Sequence, residues 1–197
     1  MNGSNDYRTR GLRGSIVANL GETTKVTYLS SWQDSKLDDQ TYLDLPNPYV
    51  RNLPRAETQK TKFWMNSLRL DQEVSDIANL TVLGSITKKT NTTIFSYPYA
   101  YVTGVTTGDG AAYSLGEADA LIKTVEARLA SAGDGPFKWL VGVSYLQAKK
   151  NSYDQIFQAG AADYIDANPD LFGGYSGAQL TPGDRLYGYF TKSTNED

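Results

Sequence analysis

The chain has 197 residues with 40% hydrophobic content, enough for one domain or part of a larger one. A net charge of -3 and a pI near 5.0 argue against a basic nucleic-acid-binding face, and no nucleic-acid partner is expected. The absence of Cys and His removes thiolate metal sites, disulfides and the commonest general base, so no enzyme and no cofactor are expected. Mean hydropathy is -0.46 and no apolar run reaches the roughly 18 residues of a membrane helix. A membrane β-barrel escapes that test, because only every second residue of its strands meets lipid.

The segment Met1–Asp6 lacks the basic and apolar regions of a signal peptide, which suggests that the sequence lacks its true beginning. From Tyr7 to Leu20 the chain alternates, with Leu12, Ile16, Ala18 and Leu20 against Arg13, Ser15 and Asn19. A Gly21-Glu-Thr turn leads into Thr24–Gln33, where Val26, Tyr28 and Trp32 oppose Lys25, Thr27 and Ser31. Period 2 predicts two strands of a tight hairpin.

Residues 34–59 are polar, hold Pro46, Pro48 and Pro54, and read as a long loop. Lys60–Glu73 forms a third run (Trp64, Leu68 and Leu70 against Ser67, Arg69 and Asp71) and Val74–Ile77 a short turn. Ala78–Lys88 is the fourth run. Residues 89–117 are a second long segment, of which Thr93–Val105 is β-prone. The fifth and sixth runs flank Ser131–Pro136. In one, Val125, Ala127 and Leu129 oppose Glu126 and Arg128; in the other, Trp139, Val141, Val143 and Tyr145 oppose Gly142 and Ser144.

A third long segment, Ala148–Asp184, contains a possible short helix at Ser152–Ala162. Arg185–Lys192 is the seventh run, and Ser193–Asp197 reads as the next short turn. Neither acidic stretch, Gln33–Asp39 or Asp163–Asp170, has the ligand spacing of an EF-hand, and both read as solvated surface. The Gly-rich pieces Gly108–Gly110 and Gly173–Gly177 lack the Gly-Lys-Ser/Thr of a phosphate loop.

Short turns thus alternate with long segments. Antiparallel strands joined this way collect the short turns at one end and the long loops at the other, as in outer-membrane barrels. The predicted fold is all-β: an antiparallel up-and-down transmembrane β-barrel, present in part as about seven strands of a larger barrel. If the first strand descends from the long-loop end, Trp32, Trp64 and Tyr145 lie toward that end and Trp139 toward the short turns. These four are the candidate interface girdles. Arg13, Arg69, Glu126 and Arg128 then face the lumen, where they either contact a plug or a ligand or pair with their cross-strand neighbours. Tyr97, Tyr99, Tyr101, Tyr164 and Tyr175 stand on the long loops as candidate ligand-capture surface.

The hairpin Val125-Glu-Ala-Arg-Leu-Ala-Ser131, then Gly133-Asp-Gly-Pro-Phe-Lys-Trp-Leu-Val-Gly-Val-Ser-Tyr145, resembles a hairpin of TonB-dependent outer-membrane receptors. In many of these a Glu-x-Arg-Leu strand meets a Trp-x-x-Gly-x-x-Tyr strand. The hairpins around Gly11–Ile16 with Thr24–Tyr28, and around Leu68–Glu73 with Ala78–Thr87, are similar to others of the family, and Leu186–Phe190 to a following strand. The likeness covers nearly the whole chain through the order of its hairpins.

The resemblance implies a Gram-negative outer-membrane location, lipid as surroundings, and uptake of a scarce small nutrient (siderophore-bound iron, a cobalamin or a glycan). It also implies energising by TonB through a plug domain. No position here matches the plug, the TonB-contacting segment or a signal peptide. Residues 1–197 are therefore expected to be an internal part of a 22-stranded barrel domain, unable to close alone. The alternatives are a passive porin-like barrel and a soluble secreted carbohydrate-binding β-sandwich.

Overall fold

A computed structural model describes residues 6–40, 55–97, 112–133, 135–174, 176–177 and 185–196. The described residues form one seven-stranded sheet in which every strand neighbours the next in sequence: β1 (Tyr7–Leu20), β2 (Thr24–Leu37), β3 (Gln59–Ser75), β4 (Ala78–Ser96), β5 (Ala112–Ser131), β6 (Leu140–Gln158) and β7 (Arg185–Glu196). All pairings are antiparallel, and β1 and β7 remain edges of an unclosed sheet. The expected all-β, antiparallel up-and-down architecture of a partial barrel is present. The sandwich alternative is not, because its strands would divide between two packed sheets.

The strands run for 12 to 20 residues, against a usual strand length of about 5–6. They form because alternation continues without Pro and with many β-branched residues, so each strand offers its neighbour an unbroken ladder. Gly21, at φ 77°, supplies the left-handed residue of the first turn. The short turns lie side by side. The Glu73 amide donates to the Thr23 carbonyl at 2.9 Å, and the Ala132 amide to the Ile77 carbonyl at 2.8 Å. Ser131 and Trp139 close the third turn by exchanging backbone and hydroxyl hydrogen bonds.

Several strands continue past the ends expected from sequence. β2 extends to Leu37, β4 to Ser96 and β6 to Gln158, and β5 begins at Ala112. The expected helix at Ser152–Ala162 is corrected: Ser152–Gln158 is strand, paired with Ala112–Ala118 of β5. The helix α1 (Ala161–Ala167) starts only after Gly160, whose φ of 76° turns the chain. Ser193–Glu196 is likewise not a turn; it pairs with Gln147–Lys150 of β6. In both places an available strand edge outweighs weak local preference.

At the long-loop end α1 and a 3-10 turn at Pro169–Phe172 make a small cap. Ala161 and Ile165 are buried there against Ala162, Phe172 and Leu186. Asp166 accepts from the Ser176 hydroxyl at 3.0 Å and the Gly177 amide at 2.8 Å, tying the following segment down. Residues 41–54 and 98–111, with Pro46, Pro48, Pro54, Tyr99, Tyr101, Gly108 and Gly110, lie outside the described residues, as does Tyr175.

Candidate functional site

The register sorts the side chains into two faces. On one, successive rows across the sheet read Leu20–Thr24–Gln72–Leu80–Leu129–Val141, Ala18–Val26–Leu70–Val82–Ala127–Val143, and Ile16–Tyr28–Leu68–Gly84–Val125–Tyr145. Many large side chains of this apolar face are exposed, with Val143 at 71%, Ile16 at 69% and Leu68 at 55%, while Leu70, Leu80, Val82 and Leu129 are half-buried. Nothing in the described chain covers them. An apolar sheet surface of this extent is far outside what a soluble monomer leaves to water.

Trp32 and Trp64 are direct register partners on this face, and Trp64 in turn opposes Lys88. Trp139 lies at the opposite margin, beside the short turns. The row of Trp32 and Trp64 reaches β6 at Lys149. From Trp139 to that row is about ten residues, or about 33 Å of strand at about 3.3 Å per residue. At a barrel strand tilt of about 40° this is a rise of about 25 Å along β6, comparable to an outer-membrane apolar band, although the row just short of it, Gly14–Ser30–Asn66–Ile86–Lys123–Gln147, is largely polar. Tyr145 does not join the upper aromatic level. Its row is that of Ile16 and Tyr28, between the two margins, because β6 runs on to Gln158 instead of ending near Leu146.

The other face is polar and hydrogen-bonded along its length. Thr9 and Ser35 share a hydrogen bond at 3.0 Å, and Gln33 donates to the Ser35 hydroxyl at 2.9 Å. The Asn91 side-chain oxygen accepts from Thr61 at 2.8 Å, and Ser85 and Thr124 pair at 2.6 Å. Near the short turns this face carries a charge cluster. Arg69 donates from Nε and Nη2 to Asp71 Oδ1 at 2.9 and 2.7 Å, and Thr81 donates to the same oxygen at 2.9 Å. Arg128 makes an ion pair with Glu126.

The two i,i+2 pairs run in opposite senses. Leu83 of β4 stands between Arg69 and Glu126, and Thr81 between Asp71 and Arg128. Opposite charges therefore face one another across β4, about 10 Å apart at about 4.8 Å per strand. An open recess of about 250 Å³ lies among Arg69, Thr81, Leu83, Glu126, Arg128 and Leu140. A second, of about 630 Å³, adjoins it toward the first turn, past Asp71, Gln72 and Lys25.

Three of the four predicted polar-face residues, Arg69, Glu126 and Arg128, thus share one site. Arg13 shares the face but lies in the Ser31–Met65–Thr87 row, farther from the turns. Sequence reasoning missed Asp71 and Thr81 as partners of Arg69. The signal was there for Asp71: Arg-x-Asp at 69–71 mirrors Glu-x-Arg at 126–128. Glu57, almost fully buried, was also missed. Its carboxylate accepts from the Ser96 amide and its own amide donates to Asp39 Oδ1, each at 2.8 Å, so it ties the start of β3 to the end of β4. No pattern of period 2 marks such a residue.

Among the described residues, no group of three acidic, His or Cys side chains is placed to hold a metal ion. No described helix is long and apolar enough to cross a membrane, a test that does not address strands.

No protein-family model and no curated protein matches the sequence. Among solved structures, the chain is similar to the siderophore receptor PiuA from Acinetobacter baumannii, with a TM-score of 0.61 and 16% identity. The fold is that of part of an antiparallel up-and-down β-barrel. The match covers 99% of this chain and 32% of that one, so the chain spans about a third of the receptor's length. At this identity the likeness concerns the fold, and it runs through the whole described meander.

Proposed function

We propose that the chain forms part of the wall of an outer-membrane receptor of the TonB-dependent kind, which takes up a scarce nutrient. The observation that carries this reading is the uncovered apolar face. Three successive rows of it, from that of Leu20 to that of Ile16, cross β1 to β6, with Trp139 on the short-turn side and Trp32 and Trp64 two rows beyond on the other. Lipid is the solvent that makes such a face stable. The fold likeness to a siderophore receptor supports the same reading and favours siderophore-bound iron among the nutrient classes.

In this arrangement the polar face lines the lumen. The charge cluster of Arg69, Asp71, Glu126 and Arg128, close to the periplasmic turns, offers paired donors and acceptors to a plug domain seated inside the barrel. Arg13 lines the wall nearer the outside. The long connections and the α1 cap lie on the extracellular side, where Tyr97 and Tyr164 contribute to ligand capture. Import would proceed by capture at that side and by plug rearrangement driven through TonB.

Antibody raised against this chain tests the proposal. It should detect its antigen in the outer-membrane fraction of the source cells, at higher level under iron starvation. Antigen confined to the soluble fraction would overturn the membrane assignment. Outer-membrane antigen indifferent to iron would overturn the choice of nutrient.

A further inference from the structure

The apolar face is interrupted at Gly84. A groove of about 400 Å³ opens there, bordered by Tyr28, Leu68, Ile86, Val125 and Lys123. A side chain at Gly84 would meet nothing within 4 Å, so the groove exists because the row lacks one apolar side chain. Four residues farther up β4, the same face turns cationic. Lys88 and Lys149 flank Leu121 in one row, and Lys123 stands in the row between them and the groove. All three lysines are exposed.

None of the three makes an ion pair among the described residues, whereas Lys36 and Arg8 at the neighbouring edge are matched by Asp38. Asp119, one row higher, is engaged by the Asn151 side-chain amide at 2.9 Å. Two ammonium groups in one row, two strands apart, and a third in the row below between them repel one another unless an anion lies among them. Their flexible stems can lay along the apolar surface while the heads gather at its margin.

We propose that this site binds one phosphate-bearing membrane lipid of the outer leaflet. Its phosphate rests on Lys88, Lys123 and Lys149, and one acyl chain fills the groove at Gly84. The geometry fits: Lys88 is the register partner of Trp64, whose kind marks the headgroup level, Lys123 and Lys149 stand one and two strands beyond it, and the groove lies about 13 Å of strand below Lys88, within acyl-chain depth. The inference rests on the membrane reading of this face.

The test uses the whole chain with Trp32→Phe and Trp139→Phe, leaving Trp64, the register partner of Lys88, as reporter. Neutral alkyl-maltoside micelles cover the apolar face without requiring the sheet to close. They are doped with brominated-chain phosphatidylglycerol or, separately, brominated-chain phosphatidylcholine, and quenching is titrated. The expected result is an apparent affinity about tenfold higher for phosphatidylglycerol. Lys88→Gln/Lys123→Gln/Lys149→Gln should abolish that preference, and Lys89→Gln/Lys138→Gln/Lys150→Gln, equal in charge but off the site, should retain it. Gly84→Leu, whose Cβ meets nothing within 4 Å, should lower the affinity for phosphatidylglycerol several-fold.

Absence of the preference in the reporter chain, equal loss in both lysine triples, or no effect of Gly84→Leu would each overturn the proposal. No quenching by either lipid would overturn the membrane reading itself, since the apolar face would then not meet acyl chains at all.

Discussion

At the scale of single residues, the charge cluster is an arrangement of modest pairs. The Arg69 side chain is 54% exposed and that of Asp71 30%. Solvent screens such a pair, and a double-mutant cycle of Arg69→Ala with Asp71→Ala should give a coupling of only about 0.2–1 kcal/mol in denaturant unfolding. A much larger coupling would mean that the site is closed from water in the isolated chain. The cluster is therefore better suited to recognition than to holding the sheet together. Gly177 is different. A Cβ there would overlap the backbone of Ala162, so Gly177→Ala should displace the segment from α1 and raise amide exchange at Ala162–Ile165. Asp38, just beyond β2, has its carboxyl held below the usual range by the hydrogen bond from Lys36. Burial opposes this slightly, and the charges of Lys36 and Arg8 add to it. Its contribution is complete above the ordinary carboxylate value of about 4 and is lost as pH falls through the lowered one. The protection factor of the Asp38 amide, which donates to the Asp6 carbonyl at 3.0 Å, should fall over that window. An unchanged protection factor would show that the salt bridge does not hold this edge.

At the scale of elements, the alternation in the sequence determined which residues share a face. Val143 and Ser144 are adjacent in β6 but belong to opposite faces. If the apolar face meets lipid, Val143→Arg, near mid-depth, should destabilise the micelle-bound chain by about 2–4 kcal/mol. Ser144→Arg, on the polar face, should change stability by about 0.5 kcal/mol or less. Urea midpoints compare the two, and equal losses would sink the face assignment. Strand ends were less legible. The segments Gln33–Leu37, Thr90–Ser96 and Ser152–Gln158 set no apolar face against a polar one: their polar residues fall on both faces, and the neighbours Ile94/Phe95 and Ile156/Phe157 put an apolar side chain on each, so period 2 leaves little trace in them. They are strands because their neighbours continue and offer an edge to pair with. The misplaced helix at Ser152 and the misplaced turn at Ser193 have this same origin.

At the scale of the whole molecule, β1 and β7, of 14 and 12 residues, are the outer edges of the sheet among the described residues, and their outward backbone groups find no strand partner there. In lipid each such group costs several kcal/mol, and in water an open edge recruits another chain. Refolded into detergent, this chain should therefore show no heat-modifiable closed barrel on a gel. In buffer its apparent mass should rise with concentration in analytical ultracentrifugation. A monodisperse, heat-modifiable monomer would show that the two edges find each other after all.

By itself, the sequence determined the strand order, the two faces and the side of the first three short turns, because alternation and turn chemistry are local and repeat along the chain. It also marked Arg69, Glu126 and Arg128 as residues of one face. Only the tertiary structure decided that they stand together while Arg13 stands apart, and that Tyr145 lies between the aromatic margins. It alone revealed Glu57 as a buried tie and Gly84 as a groove beneath three lysines. Each of these depends on which rung meets which across several strands. Cross-strand register is set by hydrogen-bonded pairing over the whole sheet, and no stretch of one strand contains it.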